Sequence, residues 1–229
     1  TNLSVYLGKT KLASCITNAS GPKCTTSEEL TNLDNSESGY VLTKSSTLQG
    51  REGNPKPRYY DNILGSINSM GLPNLGHNFY IEESRNIKNK PYIISVCGLT
   101  LDDTLNILNN IFQSVKEQNY KIGGVEINLS CPNIIGKGQL GYDFNKMDQY
   151  LKTIFDLDII KHLPNFLIGV KLPPYFDLHQ FSEVTDILEK YRIDFITCIN
   201  SIGNGLIIDS EKEEILIKPK GGMGGIGGK

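Results

Sequence analysis

The chain has 229 residues, 38% hydrophobic and 21% charged, with 23 Lys and Arg against 25 Asp and Glu for a formal charge of −2. That length suffices for one domain with a substantial core, and the near-neutral balance, with its lysines scattered, argues against non-specific nucleic-acid binding. No apolar run approaches the ~20 residues of a membrane helix and the N-terminus has no signal-peptide core, so a cytoplasmic protein is expected.

Short apolar, β-prone runs alternate with longer helical patterns. The first predicted strand, 12–17, ends in Asn18-Ala19-Ser20-Gly21. A short helix is predicted over 27–33, then a strand over 39–43 that ends in Lys44-Ser45-Ser46. Residues 47–78, rich in Gly, Pro and Asn, read as a long binding loop. A strand over 92–96 precedes a helix over 101–118, where Leu105, Leu108, Ile111, Phe112 and Val115 share one face. The strand 125–129 runs into Asn128-Leu129-Ser130-Cys131-Pro132-Asn133, and a second loop spans 133–143. Helices over 144–155 and 178–191 flank a strand over 167–172 that carries Lys171, and the strand 195–199 leads into Asn200-Ser201. Asp103 and Asp177 sit near helix starts, where carboxylates satisfy free N–H groups. A hairpin turning at 209–213 follows, then the glycine-rich 221–229, whose pattern suggests phosphate binding.

Repeated strand–helix units imply a parallel sheet, either open and doubly wound or closed into a (β/α)8 barrel. The polar clusters decide between them. Nearly every strand ends in one, and a barrel gathers all the C-terminal strand ends into a single ring. The expectation is an α/β fold, a TIM barrel forming one domain over 1–229. About six βα units are visible and a closed barrel needs eight, so the last two units are expected to be missing.

The strand-end ring holds lysines, asparagines and one cysteine but no histidine, so a Cys–His hydrolase is disfavoured. No carboxylate cluster has metal-ligand spacing, and the five cysteines form no CxxC pair, so no metal is expected. Asparagines suit a flat, amide-rich ligand, and the lysines suit an anion. A cysteine without a histidine still serves as a base where its thiolate is stabilised.

Four motifs, in order along the chain, carry a resemblance. Asn68-Ser69-Met70-Gly71-Leu72-Pro73-Asn74, Asn128–Asn133 as written above, Gly169-Val170-Lys171-Leu172-Pro173-Pro174 and Asn200-Ser201-Ile202-Gly203-Asn204-Gly205 resemble the dihydroorotate dehydrogenases. Arg51-Glu52-Gly53-Asn54-Pro55 and Ile217-Lys218-Pro219-Lys220 agree with it. The cysteine at 131 is similar to the soluble members, and the loop at 68–74 to the homodimeric, fumarate-reducing group. The resemblance implies FMN as cofactor, dihydroorotate and fumarate as substrates, a role in pyrimidine biosynthesis, and no membrane or nucleic-acid partner. It implies Cys131 as the catalytic base. Substrate contacts would come from Lys44, Asn68, Met70, Gly71, Leu72, Asn128, Asn133, Asn200 and Ser201. Cofactor contacts would come from Ala19, Ser20, Gly21, Lys44, Ser45, Asn128, Lys171 and Gly228. Where relatives carry prolines around Gly-Lys, this chain reads Ile134-Ile135-Gly136-Lys137-Gly138, which predicts a less pre-organised loop.

Plainer readings stand beside these. Cys15, Cys97 and Cys198 suit packing and Cys24 an inert thiol, while Asn18, Asn74 and Asn204 suit turns. Arg51, Glu52 and Arg58 suit a salt bridge, a subunit contact or a loop clamp. Alternative functions are another FMN barrel acting on a dihydropyrimidine, or a non-catalytic scaffold.

Overall fold

A computed structural model describes residues 2–63, 65–117, 119–130 and 138–228. The chain opens with a hairpin of β1 (Val5–Leu7) and β2 (Thr10–Leu12). Helix α1 (Ser27–Asp34) starts at a capping box in which Thr26 and Glu29 satisfy each other's backbone. Next come β3 (Val41–Leu42), the antiparallel pair β4 (Tyr59–Asn62) and β5 (Gly65–Asn68), helix α2 (His77–Glu83) and β6 (Tyr92–Val96). Helix α3 (Leu101–Val115), β7 (Ile122–Asn128), α4 (Phe144–Phe155), α5 (Asp158–Lys161), β8 (Leu167–Lys171), α6 (Leu178–Leu188) and β9 (Phe195–Thr197) continue the alternation. Then follow β10 (Ile202–Leu206), β11 (Ile208–Asp209), β12 (Glu214–Ile215) and β13 (Met223–Gly227). Side chains at the helix starts do the capping: Thr100 accepts from Asp103 N at 3.0 Å and Asp177 from Gln180 N at 2.8 Å.

Five strands make a parallel sheet in the order β3-β6-β7-β8-β9. Side chains alternate between its faces with period two. Val125 and Ile127 of β7, with Ile168 and Val170 of β8, pack into the main core with Leu108, Ile111 and Phe112 of α3 and Met147 and Leu151 of α4. On the opposite face Leu42, Ile93 and Leu167 form a small apolar floor. Further along the same face come Ser95 and Glu126, directly paired in the register, then Asn128 opposite Lys171. Strands two apart in a flat sheet are separated by about 9.5 Å. Here the Glu126 carboxylate reaches past β8 to Thr197 of β9, Oγ1 to Oε2 at 2.7 Å. Gly169 lies opposite Glu126 in the register, and the Phe195 ring packs where a Cβ at Gly169 would be.

Three sequence expectations need correction. Residues 12–17 do not enter the parallel sheet: Leu12 ends the hairpin, and the segment meets β3 through a Gly39 N–H to Ile16 carbonyl bond of 2.8 Å. The Asn18 amide then imitates a strand, donating to Leu42 O at 2.7 Å and accepting from Leu42 N at 2.9 Å. The supposed loop 47–78 holds β4, β5 and the start of α2. The glycine-rich 221–229 is no phosphate loop over Met223–Gly227: that run is β13, central in a second sheet of order β10-β13-β5-β4. Its glycines allow close contact, since a Cβ at Gly224 would strike the Asn68 carbonyl and one at Gly225 the Ser201 hydroxyl. The hairpin forms as β11 and β12.

Cys24 and Cys97 are buried, whereas Cys15 and Cys198 are exposed, so packing does not account for the latter pair. Burial pushes the Cys24 thiol up, despite an opposing hydrogen bond from Gly21, and leaves it protonated and inert. His77 ties α2 to α3, with Nδ1 on Leu48 O and Nε2 on the Asn110 amide, each at 2.8 Å. Asn204, at φ 59°, sits in the register shift of β10 against β13, a structural role as expected.

Candidate active site

The C-terminal ends of the parallel strands and the loop after β5 enclose a cavity of about 70 Å³. Ser20, Lys44, Ser45, Asn68, Met70, Gly71, Leu72, Asn128, Lys171 and Asn200 line it. Ten of the residues expected at the site thus line one cavity, although they come from points as far apart as 20 and 200 in the chain. Ala19 and Gly21 flank Ser20 in the turn held by Cys24, and Ser201 adjoins Asn200, its N–H on Asn200 Oδ1 at 2.8 Å. Gly228 lies beyond β13 beside Gly65 and does not line the cavity. Cys131, Asn133 and the altered stretch up to Lys137 lie outside the described residues.

Lys171 is the most informative group. Only 8% exposed, it makes no ion pair or side-chain hydrogen bond among the described residues. A buried ammonium without an anion is costly, so the arrangement suits an anionic or strongly accepting ligand. Lys44, half-buried on the same wall, adds a second cation.

The loop over Met70–Leu72 turns its carbonyls away from the cavity side. Met70 O accepts from Asn54 N at 2.9 Å, Gly71 O from Arg51 Nε at 3.3 Å, and Leu72 O from Asn74 Nδ2 at 2.9 Å. Among the described residues nothing accepts from the N–H groups of these three residues. Gly71 at φ 73° and Leu72 at φ 56° adopt the left-handed turn that makes successive N–H groups converge on an anion. Arg58 holds the clamp from behind, donating to Glu52 O at 2.6 Å and Asn54 O at 2.9 Å. Of the three readings for Arg51, Glu52 and Arg58, the contacts made within this chain are those of the loop clamp.

Asn74 is structural as expected, and fully used. Its Oδ1 accepts from Thr47 N at 3.2 Å and Gly76 N at 2.8 Å, while Nδ2 donates to Thr47 Oγ1 at 2.8 Å and to Leu72 O. Asn74→Ala orphans these buried groups and should lower stability by about 2–4 kcal/mol. Urea unfolding measures the loss, and a change under ~1 kcal/mol would contradict the assigned role.

Asparagines form the opposite wall. Asn128 Oδ1 accepts from Ser130 N at 3.1 Å, and Asn200 Nδ2 donates to Ser130 O at 2.6 Å. The backbone leading into Cys131 is therefore gripped from both sides. Ser130 Oγ, fully buried, has no hydrogen-bond partner among the described residues. Sequence reasoning missed Ser95, Glu126 and Thr197 beneath this wall. The available signal was a lone glutamate inside an apolar strand.

A family model for dihydroorotate dehydrogenase matches residues 2–229. The chain is 45% identical over 231 residues to dihydroorotate dehydrogenase A (fumarate) of Lactococcus lactis subsp. lactis, covering 99% of this chain and 71% of that one. It is 47% identical over 217 residues to dihydroorotate dehydrogenase (fumarate) of Kluyveromyces lactis, covering 93% of this chain and 65% of that one. The chain thus spans between 65% and 71% of these relatives' length. Among solved structures, a DHODH from Eimeria tenella in complex with ferulenol superposes with a TM-score of 0.67 at 16% identity, over 100% of this chain and 65% of that one. That likeness concerns the fold and makes the five-stranded sheet part of a (β/α)8 barrel. By matched length and identity alike, the chain belongs to the dihydroorotate dehydrogenase family.

Proposed function

We propose that the cavity oxidises dihydroorotate to orotate with FMN as cofactor and fumarate as electron acceptor, in a single barrel domain of a cytoplasmic homodimer serving pyrimidine biosynthesis. The observation that carries the reading is Lys171, buried without an ion pair among the described residues in a cavity lined by Lys44, three asparagines and two serines. It fits the N1–O2 edge of an isoalloxazine, where negative charge gathers on reduction. Bound FMN supplies a hydride acceptor at N5 for the hydrogen on C6 of dihydroorotate.

The chain's own residues do the rest. Cys131 takes the C5 proton as its thiolate. The carboxylate of dihydroorotate fits the converging N–H groups of Met70, Gly71 and Leu72, with Lys44 adding charge. Asn68, Asn128, Asn133, Asn200 and Ser201 suit the amide edges of the pyrimidine. Ser20, Ser45 and Ala19 suit the cofactor side, with Gly21 and Gly228 at its margins. Fumarate reuses the same anion contacts, and the Cys131 thiol returns its proton.

The test is the visible spectrum of the full-length protein, purified without oxygen, during addition of dihydroorotate and then fumarate. The flavin band should bleach with the first and return with the second. A yellow protein that never bleaches would point to another dihydropyrimidine. A colourless protein that takes up no FMN would favour the non-catalytic scaffold.

A further inference from the structure

We infer that the buried carboxylate of Glu126 sets the direction of the hydroxyl hydrogen bonds that run from Ser95 through Ser45 to Ser20, acting as a positioning residue that turns Ser20 into an acceptor facing the ligand. Glu126 is fully buried, and both its oxygens accept, from Ser95 Oγ at 3.0 Å and Thr197 Oγ1 at 2.7 Å. A hydroxyl has one proton to give. Ser95 has spent its own on Glu126, so in its 2.9 Å contact with Ser45 it must accept. Ser45 is then committed inward too, and accepts from Ser20 Oγ at 3.1 Å and Asn128 Nδ2 at 3.2 Å. That fixes the Asn128 amide, leaving Oδ1 to face Ser130 N and the Asn200 amide, the latter at 3.5 Å.

From Glu126 outward, then, each hydroxyl points its proton toward the carboxylate. Ser20, Ser45 and Asn128 all line the cavity. Ser20 reaches it with lone pairs and no proton to offer, and so selects a ligand N–H, such as the imide of a flavin or a pyrimidine. Without the charge, the chain of hydroxyls has no preferred direction, and the floor could present a donor where the ligand also has one.

This inference rests on the FMN reading for its ligand, and the test separates the two. Ser20 and Ser95 are connected through Ser45, so a double-mutant cycle of Ser20→Ala and Ser95→Ala in the full-length protein measures the relay. Ser20→Ala should weaken FMN binding about tenfold in the wild-type background and less than about threefold beside Ser95→Ala. Ser95→Thr, which keeps the hydroxyl, should restore the wild-type value. The same cycle read by urea midpoints of the FMN-free protein should also be non-additive. If Ser95→Ala does not fold, Ser95→Cys, a weak donor of similar shape, takes its place. Coupling in the FMN-free cycle with no FMN uptake by the wild type overturns the functional reading and supports the relay. Additive effects in the FMN-free cycle overturn the relay, whether or not FMN binds. So does a Ser95→Thr variant as impaired as Ser95→Ala.

Discussion

Lys171→Met is expected to stabilise the FMN-free protein while slowing flavin reduction by dihydroorotate about 10²–10³-fold. Both effects have one cause. The ammonium is only 8% exposed at the end of β8 and makes no ion pair among the described residues, so no contacting carboxylate offsets its burial. Methionine fills similar volume without that penalty, and a gain of about 1 kcal/mol or more follows. The same charge would offset the negative charge that gathers on the reduced flavin, and methionine cannot. FMN should also stabilise the variant less than the wild type, since ligand stabilisation scales with affinity. Thermal melts with and without FMN, and stopped-flow bleaching, read the two sides separately. A variant less stable without FMN would mean that Lys171 is a structural residue. Reduction at the wild-type rate would place the flavin elsewhere.

Cys131→Ala should slow the same bleaching by about 10²–10⁴-fold, the range of a general base, and leave FMN binding and the unfolding midpoint near wild type. The residue before it is held tightly, with Ser130 N on Asn128 Oδ1 and Ser130 O under the Asn200 amide. Because that grip acts on the backbone, removing the Cys131 side chain leaves it in place. Reoxidation by fumarate should slow as well, because the protonated thiol returns the proton in that direction. Deuterium at C5 should then show a larger isotope effect in the variant, where proton abstraction limits the rate. A variant that bleaches within about threefold of wild type would remove Cys131 from the mechanism.

Strands β6 and β8 and helices α3, α4 and α6 were legible in the sequence because their information is local. Tyr92–Val96 and Leu167–Lys171 are buried at every position and apolar but for Ser95 and Lys171, as suits strands covered on both faces, and the helices carry regular apolar stripes behind capping residues. The second sheet was not legible. Its strands Gly65–Asn68 and Met223–Gly227 contain glycines that read as loop, and become strands only because another backbone lies against them. The strand predicted over 12–17 fails for a related reason, since only Leu12 lies in a strand and the segment's main link to β3 runs through the Asn18 side chain.

The candidate site divides in the same way. Lysine at the end of an apolar strand, asparagines at strand ends and the four ordered motifs are local signals, and they point to Lys44, Lys171, Asn128 and Asn200. By itself the sequence determined the βα alternation, the residue types of the ring and the family they resemble. Only the tertiary structure decided which of those side chains share one cavity, that the Met70–Leu72 carbonyls turn away while their N–H groups stay unmatched among the described residues, and that Glu126 lies beneath the floor. Those facts depend on contacts between residues up to 150 or more positions apart, such as Asn68 with Gly225, and the curvature of a sheet, unlike the period of a strand, leaves no pattern along the chain.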